Sequence, residues 1–326
     1  MKFVTIDRTP AGRAGALIGS EIVDLAAAAA LSQPQRHVPD SVQAILEGGQ
    51  PALDAVRRLL DEVQGGPDSR KAMLRERGAL LPDTTRLLAP LPRPLFILSV
   101  GMNYGRHLKE MSDTPPPKEP TAFIKTPHSV TGPGWPIIVP PQCGDMIDWE
   151  GEFTFVIGKP CYNVAAKDAM DYVAGYTICN DVSARDWVKG VFEAKSQGGF
   201  ASIHAWELNI MGKQLPTFTP MGPVVVTKDE VPDPYDLQLT TTLNGEVMQS
   251  TKTDDLIFKI PEMIAHFSKW FAFKPGDVVT TGSPSGVGVG RKPPKFMKAG
   301  DTVAITIERI GTLSNPLVLA KDAAVG

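Results

Sequence analysis

At 326 residues the chain has room for one large domain or two modest ones. With 42% hydrophobic and 21% charged residues it is globular rather than disordered. A formal net charge of -3 gives no electrostatic case for nucleic acid or an anionic membrane as partner. The first 19 residues carry an early lysine but no sustained apolar core, so no signal peptide is expected. No stretch approaches the roughly 20 apolar residues of a transmembrane helix. Cys143, Cys161 and Cys179 are too far apart for a disulfide framework or a zinc site, and a reduced, cytoplasmic protein is the expectation.

In chain order, Phe3–Ile6, Ala16–Gly19 and Ile22–Leu25 are short apolar runs separated by turn residues, and they predict a small meander. From Asp40 to Val63, the positions Val42, Ile45, Leu46, Leu53, Val56, Leu59 and Leu60 recur at helical intervals. Gly48-Gly49 divides them into two short helices. Residues 65–94 are rich in Pro, Gly and charge and read as a linker. This places a small N-terminal domain with its linker in 1–90 and a larger domain in 91–326. The larger one opens with a buried strand at 95–101, then a turn and a short helix through Glu110. Further strands are predicted at 122–125, 137–139, 148–157, 173–179, 224–226, 237–243, 278–281 and 303–310, with a helix at 260–271. Many strands and few helices predict an α+β, mostly β fold, either a folded roll or an open barrel.

The stretch Asp148-Trp149-Glu150-Gly151-Glu152 leads into the apolar run Phe153–Ile157. Side chains two apart on a strand share a face, so Glu150 and Glu152 are expected side by side. Two carboxylates at the mouth of a hydrophobic strand repel each other and resist desolvation, and a hard divalent cation is the simplest compensation. The bland alternative is a solvated strand face. Asp181 ends the strand Tyr176–Asn180; alone it reads as a turn or N-cap residue. With the two glutamates it makes three oxygen ligands suited to Mg²⁺ or Mn²⁺, with Ca²⁺ as a third candidate. His107 and Glu110 stand at i and i+3 on the short helix, where a carboxylate can fix the imidazole's tautomer and raise its basicity. On spacing alone a surface pair of no consequence is the commoner reading. The loop Thr281–Gly290 can offer N–H groups and hydroxyls to an anionic group but lacks the lysine of a phosphate-binding P-loop. Lys213 alone carries no signal.

Taken in order, these pieces resemble the fumarylacetoacetate hydrolase family. The motifs are Gly101-Met102-Asn103-Tyr104 with His107 and Glu110, Asp148-Trp149-Glu150-Gly151-Glu152, and Asn180-Asp181-Val182-Ser183-Ala184-Arg185-Asp186. Gly212-Lys213, Pro275-Gly276-Asp277-Val278 and Thr281-Gly282-Ser283-Pro284 follow. The resemblance covers about 95–320 and implies a β-roll catalytic domain, a homodimer and a Mg²⁺ or Mn²⁺ site. It implies Glu150, Glu152 and Asp181 as metal ligands, and His107, Glu110 and Lys213 as catalytic residues. Lys125, Arg185, Gly282 and Ser283 are implied as substrate contacts. Departures are Val188 where members often carry Gln, Gln214-Leu215-Pro216 after Lys213, Ser283 for the commoner Thr, and a longer segment between Asp186 and Gly212. That segment, with His204, Trp206 and Glu207, is expected to reshape the pocket.

The resemblance implies a small-molecule 2-oxo acid substrate. The first expectation is a metal-dependent hydrolase that cleaves a C–C bond of a 2,4-dioxo acid such as an acylpyruvate, using a water activated by His107 and Glu110. The alternative is a metal-dependent decarboxylase or isomerase of a 2-oxo diacid of the oxaloacetate or hydroxymuconate type. A non-catalytic binding protein that keeps the fold is the third.

Overall fold

The computed structural model describes residues 1–111, 115–188 and 200–323. Its strands, in chain order, begin with β1 (Lys2–Ile6), β2 (Arg13–Ile18), β3 (Glu21–Asp24), β4 (Leu80–Pro82), β5 (Leu87–Leu88), β6 (Ile97–Gly101) and β7 (Thr121–Lys125). Then come β8 (Val130–Thr131), β9 (Ile137–Val139), β10 (Ile147–Asp148), β11 (Gly151–Ile157), β12 (Val173–Asn180), β13 (Ser183–Ala184) and β14 (Thr219–Thr227). The last five are β15 (Gln238–Leu243), β16 (Glu246–Lys252), β17 (Val278–Thr280), β18 (Thr302–Ile307) and β19 (Gly311–Leu319). The helices are α1 (Leu25–Ala30), α2 (Val42–Glu47), α3 (Gly49–Gly65), α4 (Asp68–Glu76), α5 (Gly105–Glu110), α6 (Phe200–Met211) and α7 (Ile260–Phe267). The fold is α+β and mostly β, as expected.

One large sheet runs β4-β3-β2-β1-β14-β12-β11-β17-β6-β7, with β5 added beside β1 and β8 beside β14. A second sheet runs β16-β15-β18-β19-β9, and β10 pairs with β13. Every residue of β11 is buried, so the large sheet is covered on both faces there. Alternation sorts its side chains: Phe153, Phe155 and Ile157 join Tyr176 and Ile178 in a core with Leu239 and Ile305 of the second sheet and Met263 and Ile264 of α7. Val156 turns the other way and packs with Cys179, Val225 and Val278 against Val42 and Ile45 of α2 and Val56 and Leu59 of α3. Because β1 pairs with β14, the strands of residues 1–90 extend the same sheet.

Two local expectations are corrected, and two strands are new. The strand expected at 148–157 is broken: β10 ends at Asp148 and β11 starts at Gly151, with Glu150 in the gap. The backbone N–H of Glu150 donates to Asn180 Oδ1 at 2.9 Å, so a side chain replaces a ladder partner there. The stretch 65–94 is not a linker but carries α4, β4 and β5, with Leu74, Ala79 and Leu80 in the core. Asp68 in the first turn and Arg75 in the last suit the dipole of α4, so its charged composition encodes a helix. Finally, β16 and β19 were not foreseen; β19 contains Pro316, a residue that argues against a strand, opposite Thr302. Among the described residues, no helix is long and apolar enough to cross a membrane.

Candidate metal centre and active site

The antiparallel register of β11 and β12 builds the floor of the site. Gly151 faces Asn180 and Glu152 faces Cys179. One step beyond, the N–H of Asp181 donates to the carbonyl of Glu150 at 2.9 Å. Glu150, Glu152 and Asp181 therefore converge from two adjacent strand ends, each offering an oxygen within 4.8 Å of the others. Their exposures are 7%, 2% and 2%. The break at Glu150 does not separate the carboxylates that the sequence placed together.

Three buried cations stitch this floor. Lys213 Nζ donates to Glu150 Oε2 at 2.5 Å, Asp181 Oδ2 at 2.7 Å and Ser183 Oγ at 2.7 Å. Lys125 Nζ donates to Asp181 Oδ1 and to the carbonyl of Phe218. Arg185 reaches Asp148 Oδ2 through Nε at 2.9 Å and Glu150 Oε1 through Nη2. The two lysines answer burial differently. Burial alone lowers both, but Lys213 has Asp181 and Glu150 beside it and its pKa is raised. Lys125 has the one carboxylate of Asp181 and feels Lys213, so its pKa is lowered. Glu150 shows the complement: burial opposes its charge, yet Arg185 and Lys213 hold its carboxyl well below the usual range.

Glu152 is the exception. Burial, then the charges of Asp181 and Glu150, push its carboxyl up to about 8. It makes no ion pair among the described residues; Gly282 N and Ser283 Oγ donate to it at 3.2 and 2.9 Å. Four buried carboxylates (Asp148, Glu150, Glu152, Asp181) thus face three buried cations. All-oxygen donors, one of them a carboxyl that no described cation answers, fit a divalent cation.

The second part of the site is the dyad. His107 Nδ1 lies 3.1 Å from Glu110 Oε2 on α5. The carboxylate of Glu110 accepts from Gly286 N at 3.0 and 3.1 Å. The loop links the two parts, since Gly282, four residues before Gly286, donates to Glu152. The loop 282–290 does not hold its N–H groups free for a substrate, as its composition suggested. Gly282 donates to Glu152, Gly286 to Glu110, and Gly288 and Val289 to Asp148. The glycines follow from this closeness: a Cβ on Gly288 would stand 2.6 Å from Asp148 Oδ1, and one on Gly290 2.6 Å from Glu110 Cδ.

All ten residues singled out from the sequence are described. Glu150, Glu152, Asp181, Lys213, Lys125 and Arg185 form one buried cluster, Gly282 and Ser283 join it through Glu152, and His107 and Glu110 adjoin it. Sequence reasoning gave no role to Asp148, Asn180 or Ser183; their partners lie across the fold, and no local pattern marks them. His204 and Glu207 lie on α6 with side chains 73% and 70% exposed. The helix α6 delivers Lys213 just after its end. Residues 189–199 of that segment lie outside the described residues.

Residues 96–318 match the family model for the C-terminal domain of fumarylacetoacetate hydrolase. The chain is 40% identical over 301 residues to a mitochondrial oxaloacetate tautomerase of Xenopus laevis, covering 92% of this chain and 86% of that one. It is 42% identical over 234 residues to the oxaloacetate tautomerase YisK of Bacillus subtilis, covering 71% and 73%. Among solved structures, maleylpyruvate hydrolase from Sphingobium, in complex with manganese(II) and pyruvate, is similar with a TM-score of 0.68 and 27% identity, covering 98% of this chain and 99% of that one.

Proposed function

The chain belongs to the fumarylacetoacetate hydrolase family, and from that premise we propose that it is a divalent-metal-dependent tautomerase of a 2-oxo diacid of the oxaloacetate type. This puts the isomerase alternative ahead of C–C hydrolysis. The observation that carries the choice is the 40% identity over 92% of the chain to a protein named for that activity. The buried floor of Glu150, Glu152 and Asp181 supports a metal requirement. The manganese in the Sphingobium relative favours Mn²⁺ or Mg²⁺ over Ca²⁺.

A divalent cation held by Glu150, Glu152 and Asp181 would supply Lewis acidity to the carboxylate and keto oxygens of a 2-oxo acid. The chain's own groups move the proton. His107, oriented through Nδ1 by Glu110, takes a proton from C3 on Nε2 and returns it to the C2 oxygen. No atom is lost, and the keto form becomes the enol. Lys213, kept protonated by its two carboxylates, donates to the oxygen on which charge develops. Its donors are spent on Glu150, Asp181 and Ser183, so a substrate oxygen must displace one of them.

The test is the ultraviolet absorbance of enol-oxaloacetate on dilution into buffer, with Mn²⁺ and with EDTA, while malate dehydrogenase reports the keto product. Metal-dependent acceleration with oxaloacetate conserved supports the proposal. Release of pyruvate in place of keto-oxaloacetate would make the enzyme a decarboxylase. Hydrolysis remains the second reading, because the His107–Glu110 pair can equally deprotonate a water. Turnover of an acylpyruvate, with none of oxaloacetate, would restore it. The proposal includes a homodimer and a small N-terminal domain with its linker in 1–90, ahead of the family match that begins at residue 96.

A further inference from the structure

We propose that Asp148 is a positioning residue that ties the His107–Glu110 dyad to the carboxylate floor. Asp148 is fully buried. Its Oδ1 accepts from Gly288 N at 2.6 Å, and its Oδ2 accepts from Val289 N at 3.1 Å and from Arg185 Nε at 2.9 Å. From there two lines lead outward. The first runs through Arg185, whose Nη2 donates to Glu150 Oε1. The second runs through the loop: Gly286, two residues before Gly288, donates its N–H to both oxygens of Glu110, and its carbonyl accepts from Trp149 Nε1 at 3.1 Å. Glu110 in turn holds His107. One carboxylate thus fixes the guanidinium that orients a metal ligand and the loop that orients the base.

Asp148 touches neither the dyad nor the mouth of the site, so it acts through its partners. On the floor it shares the guanidinium. With asparagine at position 148, Arg185 would pair with Glu150 alone and draw charge from that ligand. On the loop it supplies the only side-chain acceptor that Gly288 N and Val289 N have among the described residues. Loss of either acceptor frees the segment that Glu110 leans on. A displacement of about 1 Å in a reacting group costs on the order of 10²-fold in rate.

The inference rests on the proposed function in one respect, that the dyad moves the proton. The variants are Asp148→Asn, Glu110→Gln and the double substitution, each checked by circular dichroism. Asp148→Asn is expected to lower kcat about 10- to 100-fold, with KM within about threefold, and to weaken Mn²⁺ binding about tenfold. In the Glu110→Gln background it should lower kcat by less than about threefold, because the anchored group is already gone. Equal losses in both backgrounds, or an unchanged kcat in Asp148→Asn, would overturn the coupling. If Asp148→Asn does not fold, Val289→Pro removes one donor and leaves every charge in place; it should move kcat in the same direction by a smaller factor, and no change would count against the inference. Mn²⁺ affinity, read by electron paramagnetic resonance, needs no substrate. If the wild type turns over no 2-oxo acid, the function fails on its own; the metal-side link then stands or falls on whether Asp148→Asn weakens Mn²⁺ binding.

Discussion

Glu150 and Asp181 are each gripped by two buried cations across an antiparallel ladder, whereas His107 is gripped by one carboxylate on a six-residue helix. The floor is redundant. The dyad is not: its place depends on a loop that reaches it from the far end of β17. Redundancy suits ligands that must stay converged against their own repulsion. A base that approaches and leaves a substrate is better served by few bonds. Within the floor the same contrast recurs, since among the described residues Glu152 has hydrogen bonds but no cation.

That inner contrast gives the largest expected effect. Glu152→Ala should abolish divalent-metal binding and lower tautomerisation on the order of 10³-fold, the equivalent of several kcal/mol of lost charge stabilisation. It strands no buried cation, so its thermal midpoint should match or exceed that of the wild type. A marked loss of stability would show that Glu152 is held as firmly as its neighbours. Asp181→Ala should behave in the opposite way. It leaves Lys125 without its carboxylate and Lys213 with one fewer, and destabilisation of about 3–5 kcal/mol is expected in urea unfolding. An Asp181→Ala protein as stable as Glu152→Ala would break the comparison.

The dyad should be separable from the floor. His107→Ala is expected to lower kcat on the order of 10²-fold while Mn²⁺ affinity and the unfolding midpoint stay at wild-type values. A matching loss of metal binding would mean that the two parts are one. The smallest effect concerns a carboxylate outside the site. Asp277 Oδ2 accepts from Lys274 N, Oδ1 is buried without a hydrogen-bond partner, and burial raises the carboxyl to about 6. A group whose folded pKa is raised contributes stability that is full below its unfolded value, near 4, and is lost as pH rises through about 6. Asp277→Asn should therefore raise the thermal midpoint by a few degrees at pH 7.5 and leave it nearly unchanged at pH 4. A gain of equal size at both values would remove the titration as its cause.

Much of the site was legible because its residues lie at or just beyond strand ends. Glu150 and Glu152, two apart before an apolar run, and Asp181 at the end of another, announce converging carboxylates. The spacing could not announce which cation would answer which carboxylate, because Lys125, Arg185 and Lys213 come from three separate segments. Nor could it show that the glycine-rich loop spends its N–H groups on the protein's own acids; composition marks a loop able to bind an anion and is silent on which anion arrives. The mistaken linker at 65–94 has the same origin. Asp68 and Arg75 read as surface charge until Leu74 is seen buried beneath the helix they flank. Pro316 hid β19 for the opposite reason, since a local rule against strands yields where neighbours on both sides supply the pairing.

The pairing of Lys2 with Val226 sets a timetable for synthesis. While the chain is still emerging from the ribosome, β1 can zip to β2 and then to β3, all within its first few dozen residues. On its other edge β5 can take up Thr5 and Ile6 once Leu87 and Leu88 are out, but Lys2 and Phe3 have no strand partner until β14 emerges, more than two hundred residues after β1. For that interval a short apolar edge stands open to any strand that passes, the circumstance in which nascent chains clump or recruit chaperones. The long-range closure also slows folding relative to a protein of local contacts. The large sheet therefore closes late in synthesis, however early its first hairpin forms.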